Sequence, residues 1–122
     1  MATDHRQILG RAGERLALEH YERLGFHVLE RNYRTPAGEL DLIVYDGTTI
    51  VFVEVKTRRD GGLDPIDAVT PAKQRRLRRL AAGWLADRGD RPRGRELRFD
   101  AVAVVIDVRG RLIALDHWEA IM

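Results

Sequence analysis

Apolar residues recur at helical spacing near the N-terminus. Leu9, Ala12, Leu16, Ala17, His20 and Leu24 form one stripe, which predicts a helix over residues 5–24. Gly13 falls on that stripe. A glycine inside a helix costs about 1 kcal/mol against alanine, so it either weakens the helix or marks a close packing contact. Gly25 stands where a helix-ending glycine is expected. Phe26, Val28 and Leu29 open a short strand running to about Tyr33, and Thr35-Pro36-Ala37-Gly38 makes a turn. Residues 39–45 and 49–57 alternate between apolar and polar and predict two strands, joined through Asp46-Gly47 as a hairpin. Residues 58–69, with Gly61-Gly62 and Pro65, read as a loop. Thr70 as N-cap and Pro71 at the first helical position predict a second helix to about Asp87, with Leu77, Leu80, Ala81, Trp84 and Leu85 on its apolar face. A polar loop over 89–95 follows, then a strand over 97–108, a turn at Arg109-Gly110 and a last strand over 111–116. Helix, three strands, helix, two strands is an α/β order, and one sheet with helices against it buries these faces most economically. With 122 residues the chain has room for a single domain, residues 1–122.

The alternation changes character within the hairpin. Val51, Val53 and Val55 line one side of their strand, while the other side runs Ile50, Phe52, Glu54, Lys56. In the preceding strand Leu40, Leu42 and Val44 share one face, and Glu39, Asp41, Ile43 and Tyr45 the other. A two-residue loop would pair Glu39 with Glu54, and a four-residue loop Asp41 with Glu54. Either register predicts that Glu39, Asp41, Glu54 and Lys56 project from one face. Opposed side chains on paired strands have Cβ atoms roughly 4.5–5.5 Å apart. Carboxylates held that close repel one another and are costly on a half-buried sheet. A divalent cation removes that cost, and an all-oxygen set suits Mg²⁺ or Mn²⁺. A solvated, exposed sheet face is the plain alternative, but Ile43, Ile50 and Phe52 on the same side argue that it is covered. Glu14, at the margin of the first stripe beside Gly13, is a further candidate, with Glu19 and Glu22 as competitors further from it. Lys73 and Gln74 extend the apolar face of the second helix towards its N-terminus, flanked by Arg75, Arg76, Arg78 and Arg79.

Composition sharpens this reading. Hydrophobic residues make up 44% and charged residues 33%, as in an ordinary folded protein. The absence of cysteine excludes disulfides, thiolate metal sites and cysteine nucleophiles. The N-terminus has no apolar signal core, and no apolar run approaches the ~20 residues of a membrane span, so the expected location is cytoplasmic. The net charge is only +2, but residues 73–98 carry net +7, which suits a polyanion-facing surface. Of the basic residues only Lys56 and Lys73 are lysine. In a chain so rich in arginine, lysine is expected where a compact, titratable ammonium is needed. His5, His20, His27 and His117 show no metal-ligand spacing, and His20 and His27 read as packing or surface residues. No nucleophile elbow, P-loop or dinucleotide fingerprint is present, so the common hydrolase, NTPase and dehydrogenase readings lack support.

Asp41 on one strand followed by Glu54-Val55-Lys56 on the next resembles the PD-(D/E)XK nuclease superfamily. The longer series G-R-A-G-E-R-L-A (10–17), Y-E-R-L-G-F-H-V-L-E-R-N-Y-R (21–34), G-E-L-D-L-I (38–43) and V-F-V-E-V-K-T-R (51–58) resembles the YraN family of small bacterial proteins, itself similar to archaeal Holliday-junction resolvases. Leu40, rather than proline, precedes Asp41. The resemblance implies a restriction-endonuclease-like mixed sheet of about five strands flanked by helices, and a metal-dependent, structure-selective DNA endonuclease. Glu14, Asp41, Glu54 and Lys56 match the catalytic positions. Asp41, Glu54, the Val55 carbonyl and Glu14 are the implied ligands of Mg²⁺ or Mn²⁺, and Glu39 matches a position without an assigned role. Arg58, Arg59, Lys73, Gln74, Arg75, Arg76 and Arg79 would contact the phosphate backbone of DNA, branched DNA included. Resolvase-like cutting would take two active sites, hence a homodimer. Two other readings stay open: a non-catalytic nucleic-acid-binding protein with a nuclease-like fold, and an interaction module whose carboxylates hold a structural cation.

Overall fold

A computed structural model describes residues 5–61, 70–93 and 96–122, with the side chains of residues 5–7 outside the description. The element order is α1 (His5–Arg23), β1 (His27–Thr35), β2 (Gly38–Tyr45), β3 (Thr49–Arg59), α2 (Pro71–Asp87), β4 (Glu96–Ile106) and β5 (Leu112–Trp118). The five strands form one mixed sheet in the order β1-β2-β3-β4-β5. Its only parallel pair among the described residues is β3 with β4. Parallel neighbours need a crossover, and α2 lies within that connection. This is the predicted α/β sheet with flanking helices.

Local signals account for most of the boundaries. The Thr70 hydroxyl accepts from the Lys73 N–H at 3.1 Å and Pro71 occupies the first turn, so α2 starts where the sequence predicts. Gly25 adopts φ +94°, a left-handed stop after α1. The β2–β3 connection pairs Tyr45 with Ile50, the longer of the two candidate loops. Asp46 is the reason: its Oδ1 accepts from the N–H groups of Thr48 and Thr49 at 2.9 and 2.8 Å and closes the turn itself. The predicted loop over 58–69 begins later than expected. Arg58 and Arg59 belong to β3 because β4 pairs with it as far as Arg59↔Ile106. Gly62 and Pro65 fall in the segment 62–69, outside the described residues. The last strand runs on to Trp118.

Each face of the sheet carries one helix and one core. Leu16, Ala17 and Tyr21 of α1 pack with Leu42, Val44, Val51, Val53, Val102, Val104 and Ile106. Leu77, Leu80, Ala81 and Trp84 of α2 pack with Leu40, Ile43, Ile50 and Phe52. Gly13 permits the close seating of α1, since a Cβ there would fall 1.6 Å from Thr57 Oγ1. The packing-contact reading of Gly13 is therefore the correct one.

Leu40 departs from the predicted pattern. Alternation places it with Leu42 and Val44, yet it packs on the α2 side while they face α1. The β2–β3 ladder ends at Leu42↔Val53. Beyond it the Asp41 carboxylate accepts the Val55 N–H at 2.7 Å, a side chain taking the place of a ladder partner. Freed from β3, β2 turns over by one residue.

A second polar cluster closes the far end of α1. Asp100, 1% exposed, accepts from both Arg98 Nε and Nη2 at 2.9 Å, from Tyr21 Oη at 2.7 Å and from the Ala120 N–H at 3.0 Å. His117 Nε2 lies 2.7 Å from Asp100 Oδ2, and His117 Nδ1 lies 3.0 Å from His20 Nε2. Among the described residues no buried side-chain polar atom is left without a partner.

Candidate metal centre

The slip in β2 decides which carboxylates meet. Glu39 and Asp41 of β2 and Glu14 of α1 bring one oxygen each within 4.8 Å of one another. Glu14 is delivered by the Gly13–Thr57 contact, which presses this turn of α1 onto β3. Glu19, a competing carboxylate on the same helix, pairs with Arg15 at 3.0 Å.

The charge in this cluster is poorly compensated. Burial, joined by the charges of Glu14, Glu39 and Glu54, pushes the Asp41 carboxyl up to about 7 against the pull of the Val55 N–H. Glu14 is also raised, by burial and by Glu39, against the amide of Asn32 and the charges of Arg31 and Arg34. Arg34 reaches Glu39 at 3.3 Å, but its side chain is largely exposed and neutralises little.

Glu54 stands beside this group, near Lys56 as expected. Its charge is felt by Asp41, but it does not complete the group of Glu14, Glu39 and Asp41. Its Oε1 meets Lys73 Nζ of α2 at 3.1 Å and Lys56 Nζ at 3.7 Å. The Lys73 side chain is 13% exposed and the Lys56 side chain 47%. Lys73, expected on the phosphate-facing surface, thus points inwards at Glu54. Helical periodicity explains this, since Lys73 continues the apolar face of Leu77, Leu80 and Trp84 towards the sheet. Val55 offers its N–H to Asp41. Arg59, Arg75, Arg76, Arg78 and Arg79 are exposed, Arg58 and Gln74 half-buried. Arg76 lies across the β1–β2 turn, its Cδ 3.4 Å from where a Gly38 Cβ would stand.

Glu39 stands in the tight cluster beside Asp41, as its alternation predicts. Asn32 of β1 escaped the sequence reading: its amide also reaches this cluster, and no sequence signal separates it from other polar strand residues. The donor set is all oxygen, crowded and short of cations, which fits a hard divalent ion such as Mg²⁺ or Mn²⁺. Among the described residues no helix is long and apolar enough to cross a membrane.

Comparison with known proteins agrees over most of the chain. A relative from Corynebacterium efficiens, UPF0102 protein CE1920, is 51% identical over 118 residues, covering 95% of this chain and 93% of its own length. A UPF0102 protein from Acidothermus cellulolyticus is 47% identical over 109 residues, covering 82% and 83%. UPF0102 protein GSU0650 from Geobacter sulfurreducens is 46% identical over 105 residues, covering 85% and 80%. Residues 13–104 match the family described as "Uncharacterised protein family UPF0102", a span holding the Gly13 contact, the carboxylate cluster, the Glu54–Lys73 pair and Asp100. The chain belongs to the UPF0102 family, the YraN family that its motifs resemble.

Proposed function

We propose that this protein is a Mg²⁺- or Mn²⁺-dependent endonuclease that hydrolyses phosphodiester bonds in DNA. The observation that carries the reading is the convergence of Glu14, Glu39 and Asp41, with an ammonium-paired Glu54 beside them. Asp41, Glu14 and Glu39 would hold the cation, with Glu54 and the Val55 carbonyl at the margin of the site. A bound cation supplies an acidified water and neutralises charge on the scissile phosphate. Lys56, the more exposed ammonium, is available to orient the attacking water or to stabilise charge on the phosphate. Arg75, Arg76 and Arg79 on α2, with Arg58 and Arg59 at the end of β3, would grip the backbone without reading sequence. Cutting of branched DNA at paired sites would take a homodimer.

The test is a nicking assay on linear, flapped and four-way DNA with Mg²⁺ or Mn²⁺, for wild type and Lys56→Arg. The variant keeps the charge but loses the compact, titratable ammonium. Cleavage should fall about 10²-fold or more while DNA binding survives. Equal cleavage by both proteins would remove Lys56 from the chemistry. DNA binding without cleavage by wild type, with either metal on every substrate, would leave a non-catalytic nucleic-acid-binding protein as the better reading.

A further inference from the structure

Asn32 has a backbone conformation unusual for a strand residue. Its φ is +52°, in the left-handed region that few non-glycine residues adopt and that asparagine tolerates better than most. Ala120 is the other non-glycine residue with positive φ among the described residues, and its N–H serves the buried Asp100. Asn32 lies between the pairs Arg31↔Leu42 and Tyr33↔Leu40, across from Asp41. With its amide oriented by its hydrogen bonds, the nitrogen donates to Glu14 Oε2 at 2.9 Å, Glu14 Oε1 at 3.2 Å and Glu39 Oε1 at 3.2 Å. An amide has two protons. One is shared between the two Glu14 oxygens and the other goes to Glu39.

We infer that Asn32 is a positioning residue of the carboxylate cluster, its left-handed backbone aiming one neutral amide at Glu14 and Glu39 so that carboxylates from α1 and β2 stay at a spacing a divalent cation can bridge. The inference rests on the metal reading above and adds a residue to it. The choice of side chain follows from charge. An arginine or lysine in this place would bind the same carboxylates but would compete with the cation for them. A neutral donor orients them and leaves their charge to the metal. Each carboxylate oxygen retains a lone pair after accepting one proton, so donation from Asn32 and coordination are compatible. A backbone outlier directed at a functional cluster is a recurring way in which local strain serves a site.

Asn32→Gly separates the two roles of the residue. Glycine adopts the left-handed conformation without cost but offers no amide. The experiment is calorimetric titration of wild type and N32G with MnCl₂, together with thermal unfolding of both in EDTA. Removing a group that orients metal ligands weakens metal affinity about 10–100-fold. The expected result is a loss of that size in N32G with a metal-free unfolding midpoint close to wild type. Equal Mn²⁺ affinity in the two proteins would overturn the role of Asn32 and leave the metal reading standing. A fall in affinity only in step with lost metal-free stability would also overturn it, because the residue would then be structural. Failure of wild type to bind Mn²⁺ would overturn the metal reading itself, and the positioning role with it.

Discussion

Replacing Asp41 by asparagine should stabilise the metal-free protein while removing a ligand from the proposed metal site. The Asp41 carboxyl is pushed up from 3.8 to about 7 by desolvation in its half-buried place and by the charges of Glu14, Glu39 and Glu54. The folded protein therefore holds a proton that the unfolded chain releases near pH 4. Stability falls as pH rises through the window from about 4 to 7 and stays low above it. At 1.36 kcal/mol per unit, the separation between about 7 and 3.8 amounts to on the order of 4 kcal/mol at pH 8. Asparagine has the same size, and its carbonyl oxygen can still accept the Val55 N–H that Asp41 takes at 2.7 Å. Its amino group would face carboxylates as a donor. Urea unfolding in EDTA should show D41N more stable than wild type by roughly 2–4 kcal/mol at pH 8, with the gap shrinking towards pH 4.5. Saturating Mn²⁺ should reverse the order, because only wild type gains binding free energy from it. A D41N protein less stable than wild type at pH 8 in EDTA would refute the reasoning. So would a stability difference that does not change between pH 4.5 and 8.

Two further substitutions test the packing that delivers the site. Gly13→Ala places a Cβ 1.6 Å from Thr57 Oγ1, so α1 must retreat by about 2 Å to reach ordinary contact. Overpacking costs about 1–3 kcal/mol against a helix-propensity gain of about 1, so urea unfolding should show a net loss of up to about 2 kcal/mol. Thr57→Ala should restore part of it, and a G13A protein more stable than wild type would contradict the contact. Asp100→Asn leaves the Arg98 guanidinium without its carboxylate in a part-buried setting, which should cost about 3–5 kcal/mol in the same assay. Burial pushes the Asp100 carboxyl up, but the bonds from Arg98, His117, Tyr21 and the Ala120 N–H outweigh it, and its pKa is lowered. Its stabilisation is therefore present above about pH 4 and is lost as pH falls through the lowered value. An acid-unfolding profile identical in D100N and wild type would refute this.

The sequence made legible those features that depend on local chemistry. The Thr70-Pro71 start, the glycine stop at Gly25 and the alternation of β3 each have a cause within a few residues. Gly13 announced a close contact, although not its partner, because Thr57 lies across the fold. The grouping of the carboxylates was only partly legible. Alternation assumes a continuous ladder, and the bond from Val55 to Asp41 ends it. That single slip sends Leu40 to the α2 core and brings Asp41 and Glu39 to Glu14, while Glu54 turns to Lys73. The Asp100–His117 pair joins residues of neighbouring strands with no motif spacing. Its one sequence trace is an aspartate inside an apolar strand.

The fork between β2 and β3 also bears on when the protein can act. Glu14 arrives with the helix on one face of the sheet, Lys73 with the helix on the other, and the strands carrying Asp41 and Glu54 part where the two sides meet. Neither half of the molecule contains the constellation. A nascent chain halted before residue 71 would carry all four carboxylates but lack the ammonium of α2 that pairs with Glu54. A chain that had docked α2 alone would lack Glu14. Completion of the Glu54–Lys73 pair therefore waits on α2, whereas the meeting of Glu14 with Glu39 and Asp41 needs only α1 and β2.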